Sequence, residues 1–164
     1  MNVPDHVKQT IGRALGRVPS GVFILTASHG EQPLAMMASW VQQVAFQPPC
    51  LSVAIAKERT ISEALREAGA TFALSVVSEG DTSLMKKYAR GIPAGVDPFD
   101  GVRTTSTTTG SVVLADALAY LECRAIKSVD FGADHDVVIA EVIAGELLKE
   151  GASFTHLRGS GFHY

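Results

Sequence analysis

The chain has little cysteine and no long apolar run. Its two cysteines, Cys50 and Cys123, form no Cys-x-x-Cys motif, so two buried thiols are expected rather than a disulfide or a metal site. No segment approaches the ~18 consecutive apolar residues of a membrane-spanning helix. Asp5 and His6 stand where a signal peptide would begin its apolar core. The sequence therefore predicts a cytoplasmic protein with no membrane segment.

An excess of basic residues is also lacking. The chain has 14 Lys and Arg residues and 17 Asp and Glu residues. The resulting formal charge of -3 would not attract the phosphate backbone of a nucleic acid. Nucleic acid is not an expected partner. The one Gly-x-Gly, at Gly159 and Gly161, precedes no helix, which excludes a Rossmann fingerprint and a P-loop. No G-x-S-x-G elbow and no ligand-spaced cluster is present, so we expect neither a hydrolase centre nor a bound metal.

The apolar pattern that is present belongs mostly to strands. Hydrophobic residues make up 46% of the 164 positions, which suits one globular domain over residues 1–164. Alternating or apolar runs predict strands, and residues at helical spacing predict three short helices. The expected strands cover 21–28, 33–46, 50–56, 71–77, 117–129 and 135–148, and the expected helices 4–18, 60–69 and 81–91. This order indicates a mainly β, α+β chain that closes an antiparallel barrel with helices outside it.

Two local features carry more specific predictions. The first three strands follow one another through short turns, which predicts an antiparallel meander. Thr60 and Glu63 match a capping box, with Ile61 and Leu65 on the apolar face and Gly69 at the end. The segment 60–69 is therefore the most clearly bounded helix of the sequence.

A basic turn and a run of small residues point to a ligand. Lys57 and Arg59 precede Thr60 at the predicted helix start, where free N–H groups favour an anion. Ala38 and Ser39 are small enough to let a flat ring approach the backbone. Together these residues suit a planar cofactor with a phosphate tail. The alternatives are a solvated turn and small side chains that pack under the first helix.

Five segments carry a resemblance to a known family. In chain order they read "GRVPSGVFILTA", "AMMASWVQQVAFQPPCLSVAIAKERT", "DALAYLEC", "ADHDVVIAEV" and "RGSGFHY". They resemble the flavin reductase-like, FMN-binding family, most of all the flavin reductase module at the C-terminus of cyanobacterial diflavin flavodiiron proteins. The resemblance implies one flavin reductase-like domain with a Greek-key-like split β-barrel, usually a homodimer. It also implies bound FMN, with FAD as the other option, and oxidation of NADH or NADPH.

The resemblance assigns residues to the site. It implies flavin contact by Met36, Met37, Ala38, Ser39 and Trp40, and phosphate contact by Lys57, Arg59 and Thr60. Trp40 would wall the flavin or fill the barrel. Lys87 would reach the phosphate or remain a solvated lysine. His135 would face the nicotinamide, as the one catalytic candidate, or be a structural histidine held by Asp134.

The implied activity is hydride transfer from NAD(P)H to the flavin, with reduced flavin passed to a partner oxygenase or another electron acceptor. The residues from Gly91 to Gly110 would cover the nicotinamide or form a surface loop. Two other classes remain open. One is a split-barrel protein that holds flavin or haem as an electron relay or sensor without catalysis. The other is an oxidase of the pyridoxamine-phosphate type.

Overall fold

The computed structural model describes residues 4–93 and 95–162, so His163 and Tyr164 of the last motif lie outside it. The helices are Asp5–Leu15 (α1), Thr60–Ala64 (α2) and Thr82–Tyr88 (α3). The strands are Ser20–Gly21 (β1), Phe23–His29 (β2), Gln32–Ala38 (β3), Val41–Phe46 (β4), Pro49–Ala56 (β5), Thr71–Val76 (β6), Thr104–Ser106 (β7), Val112–Leu114 (β8), Ala119–Asp130 (β9), His135–Leu147 (β10) and Thr155–His156 (β11).

Seven strands form one antiparallel sheet in the order β3-β2-β6-β9-β10-β5-β4. Its two end strands, β3 and β4, are consecutive in the chain and are joined only through Ser39 and Trp40. The sheet must therefore curl until its ends meet. At the closure, where the two end strands meet, the Ala54 N–H donates a hydrogen bond to the Trp40 carbonyl at 3.0 Å. The predicted mainly β, Greek-key-like split barrel with peripheral short helices is confirmed.

The barrel interior follows from alternation along its strands. In β5, Leu51, Val53 and Ile55 point inward and are buried, whereas Ala54 and Ala56 point outward and are half-buried. Burial of a large aliphatic side chain contributes roughly 1.5–3 kcal/mol. The apolar side chains of β2, β6, β9 and β10 complete the same core. The outward small residues of β5 are therefore left to form a surface beside the closure.

A second apolar cluster lies outside the barrel, under α3 and the segment 98–118. The side chain of Asp81 caps α3 by accepting from the Leu84 N–H at 3.4 Å. The Tyr88 hydroxyl donates to the Pro98 carbonyl at 2.9 Å and fastens the long loop to the helix. Burial, assisted by the charge of Asp97, raises the pKa of Tyr88 to about 12.

Two local predictions were wrong. The expected second strand, 33–46, is two strands, β3 and β4, with a break at Ser39 and Trp40. β2 and β5 therefore lie beside opposite end strands of the sheet, and the expected three-stranded meander does not form. The helix expected over 60–69 ends at Ala64, and Arg59 is its N-cap with no side-chain hydrogen bond. The residues after α2 instead turn toward the sheet, where the Gly69 N–H donates to the Ala125 carbonyl and the Ala125 N–H donates to the Ala70 carbonyl, both at 2.8 Å.

Helix α1 is present as predicted, but most of its apolar face is open. Ile11 and Leu15 are each 42% exposed, and Val18 just beyond the helix is 58% exposed. Gly12 is the buried residue of α1, where a side chain would meet Ser160. The helix thus packs closely on the C-terminal segment while its larger apolar side chains face outward.

Candidate functional site

A narrow slot of about 20 Å³ runs beside the closure of the barrel. We call it the strand slot. It lies along residues 36–40 and is also lined by Ala54, Ala56, Arg59 and Ala89. β3 is an end strand of the described sheet, so the backbone groups on its side away from β2 have no ladder partner. A planar ligand would find open N–H and C=O groups along this edge, with alanine side chains opposite.

A second cavity of about 230 Å³ adjoins the slot at Met36 and Arg59, which line both. We call it the basic-turn cavity, because Glu58, Arg59 and Thr60 form one of its walls. Gly91 lies opposite, and a Cβ atom there would collide with the Arg59 guanidinium. The guanidinium therefore lies close to the Gly91 backbone at the junction of the two cavities, where its N–H donors suit a phosphate.

A third and wider cavity, of about 450 Å³, lies on the other side of Trp40. This Trp40 cavity shares Ser39, Trp40 and Ala54 with the strand slot. Its remaining walls are mostly hydroxyl, amide and small apolar side chains, without a charged group in the described lining. The strand slot alone is too small for a three-ring ligand, but together with the Trp40 cavity it falls in the volume range of ligand sites.

Trp40 is the centre of a stack of side chains. The Arg158 guanidinium lies over its ring at 4.8 Å, and the His135 ring lies 4.9 Å from it with a tilt of 49°. The Nδ1 atom of His135 is 2.9 Å from the Asp134 carboxylate, and this hydrogen bond lowers the pKa of Asp134. Trp40 borders the cavities and lies outside the barrel core. His135 is buried behind Trp40 and lines none of the three cavities.

Lys57 points away from the cavities. Its ammonium group contacts Asp130 at 2.6 Å and Asp136 at 3.8 Å. The hydrogen bond from Lys57 is the main cause of the lowered pKa of Asp130. The structure therefore separates the two basic residues that the sequence places side by side: Arg59 lines the site, and Lys57 is engaged by carboxylates of the β9–β10 hairpin.

Lys87 is likewise engaged elsewhere. Its ammonium group donates to the Asp100 carbonyl at 2.6 Å, and its side chain borders a groove beside α3 with Asp81 and Asp116. Together with Tyr88, this bond ties the segment after Gly91 to α3. The first part of that segment, Gly91–Pro93, lines the basic-turn cavity, so the loop borders the predicted phosphate end of the site.

A helix dipole contributes little to anion binding at this turn. α2 has only five residues, and the dipole effect of so short a helix is small. An anion in the basic-turn cavity would depend on the Arg59 guanidinium, with the exposed Thr60 hydroxyl beside it. The four residues before Trp40 for which the resemblance implies flavin contact, Met36, Met37, Ala38 and Ser39, all line the slot, although the Ala38 side chain itself belongs to the barrel core.

Sequence reasoning did not assign Ala54, Ala56 or Ala89 to this site, and it placed Gly91 only at the start of the segment that would cover the nicotinamide. The first two carried a usable signal, because small residues alternate with large apolar ones in "SVAIA" and so share the outer face of β5. Ala89 and Gly91 carried none. They reach the site only because the end of α3 packs beside β3.

Comparison with known proteins decides the family. The family model described as "Flavin reductase like domain" matches residues 15–160. The chain belongs to the flavin reductase-like family. Diflavin flavoprotein A 1 of Synechocystis sp. is 42% identical to it over 154 residues, covering 93% of this chain and 26% of that protein. This flavin reductase-like chain thus spans about a quarter of the length of the curated relative.

Solved structures agree with the assignment. The Streptomyces globisporus NADH:FAD oxidoreductase SgcE6 matches with a TM-score of 0.83 and 28% identity, over 97% of this chain and 93% of that one. The same enzyme in complex with NAD and FAD fragments matches with a TM-score of 0.80 and 27% identity, over 98% and 93% of the two chains. The prediction of an enzyme that reduces flavin, an oxidoreductase and flavoprotein, is confirmed.

The residues present fit a flavin. The open edge of β3 suits the polar edge of the ring, the small outward residues of β5 leave room for its face, and Arg59 supplies a cation for a phosphate. Within the described ranges no three His, Cys, Asp or Glu residues are grouped as a metal site would require. Cys50 and Cys123 are both free and buried, as predicted. No helix in the described part of the chain has the length and apolarity to span a membrane.

Proposed function

We propose that this protein is an NAD(P)H:flavin oxidoreductase that transfers a hydride from NADH or NADPH to FMN, with FAD as the alternative flavin. The supporting observation is the way in which three cavities adjoin. The strand slot and the Trp40 cavity meet at Trp40, and the basic-turn cavity meets the strand slot at Arg59. Such an arrangement has room for two planar ligands in contact and for a phosphate at one end. Bound flavin supplies the redox chemistry, and the protein positions the reactants.

Each part of the site then has a role. The Arg59 guanidinium holds the flavin phosphate, with Thr60 beside it. The free backbone groups from Met36 to Ser39 bind the polar edge of the ring. Trp40 borders the strand slot and the Trp40 cavity, so its indole limits how both ligands can lie.

Three residues that the resemblance assigns to the site, His135, Lys57 and Lys87, do not line the cavities in which the ligands would lie. His135 contacts the Trp40 ring and Asp134, so its influence on the nicotinamide would pass through Trp40. Lys57 and Lys87 are both bound to groups of the chain itself. Either lysine would have to leave its present partner to reach a phosphate. A direct role for Lys57 or Lys87 therefore needs a rearrangement on flavin binding, whereas Arg59 needs none.

We also propose a homodimer. The exposed apolar side chains of Ile11, Leu15 and Val18 form one open face, and Val18 also lines the Trp40 cavity. A second copy covering this face would remove apolar surface from water and would narrow the wide cavity at the same time. Reduced flavin would then be delivered to a partner oxygenase or another electron acceptor.

The activity is tested by following NADH and NADPH oxidation by the purified protein, with and without added FMN or FAD, after its visible spectrum has been recorded. Turnover that requires added flavin supports a reductase that uses flavin as substrate. Turnover by a yellow preparation supports a resident cofactor. A yellow preparation that oxidises neither nucleotide would refute the proposal and favour a relay or sensor.

The phosphate site is tested separately. Arg59→Ala should weaken FMN binding by about 10-fold to 150-fold, which corresponds to the ~1.5–3 kcal/mol of a hydrogen bond to a charged group. Lys57→Ala should weaken it less, because Lys57 does not line the site. Affinity for riboflavin, which has no phosphate, is the control and should change little. Unchanged FMN affinity in Arg59→Ala would remove the phosphate assignment.

A further inference from the structure

Asp136 is a buried carboxylate that the proposed chemistry does not use. It is the second residue of β10 and is 4% exposed. One carboxylate oxygen, Oδ2, accepts a hydrogen bond from the Ser62 hydroxyl at 3.4 Å. The other, Oδ1, has no hydrogen bond within the described chain, and its near cation is the Lys57 ammonium at 3.8 Å.

A buried charge restrains its neighbours. Removing a carboxylate from water is costly unless a partner compensates it, so loss of the Lys57 contact would leave an uncompensated charge. Lys57 is held in addition by Asp130 at 2.6 Å and by its own N–H, which donates to the Asp134 carbonyl at 3.0 Å. Lys57 is thus fastened to the β9–β10 hairpin through side chain and backbone.

The same carboxylate holds both sides of the basic turn. Lys57 lies two residues before Arg59, and Ser62 lies three residues after it. Between them the turn is closed by backbone bonds, from the Arg59 N–H to the Ala56 carbonyl at 3.0 Å and from the Ser62 N–H to the Arg59 carbonyl at 2.9 Å. The backbone of Arg59 therefore has little freedom while Lys57 and Ser62 remain in place.

We propose that Asp136 is a positioning residue, which holds Lys57 and Ser62 and so fixes the Arg59 guanidinium at the junction of the strand slot and the basic-turn cavity. This inference rests on the proposed function, in which Arg59 binds the flavin phosphate. It changes the role of Lys57 from a ligand of the phosphate to a support of the turn. Asp136 itself touches neither flavin nor nucleotide.

The direction in which FMN affinity changes when Asp136 is neutralised separates a positioning role from a purely electrostatic one. Asp136 carries a negative charge near the proposed phosphate site, so neutralising it should strengthen binding of an anion if charge alone mattered. Positioning predicts the opposite result, since Asp136→Asn removes the buried charge that attracts Lys57 and so loosens the turn that carries Arg59. Asp130→Asn is the matched control, because it removes the exposed carboxylate on the same lysine and leaves the buried one.

The experiment measures dissociation constants for FMN and riboflavin through the fluorescence of Trp40, the one tryptophan of the chain. Asp136→Asn should weaken FMN binding by about 10-fold, or ~1.4 kcal/mol, and leave riboflavin binding unchanged. In an Arg59→Ala background the same substitution should have no further effect on FMN, because it acts through Arg59. Asp130→Asn should leave FMN affinity unchanged or slightly stronger.

Several outcomes would overturn the inference: tighter or unchanged FMN binding by Asp136→Asn, equal losses for FMN and riboflavin, or losses that add to that of Arg59→Ala. If Asp136→Asn does not fold, Ser62→Ala carries the same test, and it should weaken FMN but not riboflavin. Wild-type protein that binds neither flavin would refute the proposed function. Wild-type binding without a selective loss in these variants would refute the positioning role alone.

Discussion

A methyl group at position 91 should disturb flavin binding without disturbing the barrel. Gly91 has φ of 79°, and a Cβ atom built there would meet the Arg59 guanidinium, with Cζ at 3.5 Å. The left-handed conformation costs a non-glycine residue ~1–2 kcal/mol. For a domain of this size that corresponds to a lower melting temperature by roughly 2–8 °C. The backbone strain therefore predicts a folded protein of reduced stability.

The contact with Arg59 predicts a second effect, a loss of affinity for the flavin. The guanidinium is the flexible end of a long side chain, so it moves aside more easily than the backbone does. Gly91→Ala should then lose about 10-fold in FMN affinity, the lower end of what one hydrogen bond to a charged group contributes. Riboflavin affinity should fall much less. Fluorescence titration with both ligands measures the difference.

Gly101→Ala is the matched control for this prediction. Gly101 lies in the same loop with φ of 69°, and a Cβ atom there would meet nothing within 4 Å. It should lose a similar amount of thermal stability and keep its FMN affinity. Equal FMN losses in the two variants, or none in Gly91→Ala, would refute the placement of the phosphate beside Arg59.

Other predictions concern pH, thiols and assembly. The pKa of Tyr88 is raised to about 12, so its contribution to stability is complete below the unfolded value of 10.0 and is lost as pH rises toward 12. Denaturant unfolding over that range should show a smaller pH-dependent loss in Tyr88→Phe than in wild type, and an equal loss would contradict this. Burial, aided by the charge of Glu122, raises the pKa of Cys123 to about 12, so its thiol should resist alkylation at neutral pH until the protein unfolds. Rapid labelling of Cys123 in the native protein, read by mass spectrometry, would show that the core opens. Ile11→Glu should convert the proposed dimer to a monomer in light scattering at unchanged fold, and a wild type that is already monomeric would refute the dimer.

Much of the fold could be predicted from the sequence, because strand alternation is a local property. In β5 the sequence "LSVAIA" alternates large and small residues, and a pleated strand sends the two sets to opposite faces whatever its partners are. The family could be recognised for a related reason. The motif from Ala35 to Thr60 is one continuous stretch that includes most of β3, the barrel closure at Ser39 and Trp40, and the basic turn.

Local patterns failed where contacts with distant parts of the chain compete with them. The capping box at Thr60 and Glu63 indicated a helix to Gly69, but α2 ends at Ala64, and the Gly69 N–H donates instead to the Ala125 carbonyl of β9 at 2.8 Å. A helix dipole offered a reason for anion binding that the short helix does not support. In the proposed function the Arg59 guanidinium takes that role.

The sequence by itself determined most of the long strands, the presence of three helices, the two free thiols and the run of residues that borders the slot. Only the tertiary structure decided which basic side chains face the site. Lys57 and Arg59 are two residues apart, yet one meets buried Asp136 and the other lines two cavities. The reason is that a side chain goes where its charge finds a partner, and the two carboxylates that contact Lys57 lie on β9 and β10, 73 and 79 positions further along the chain.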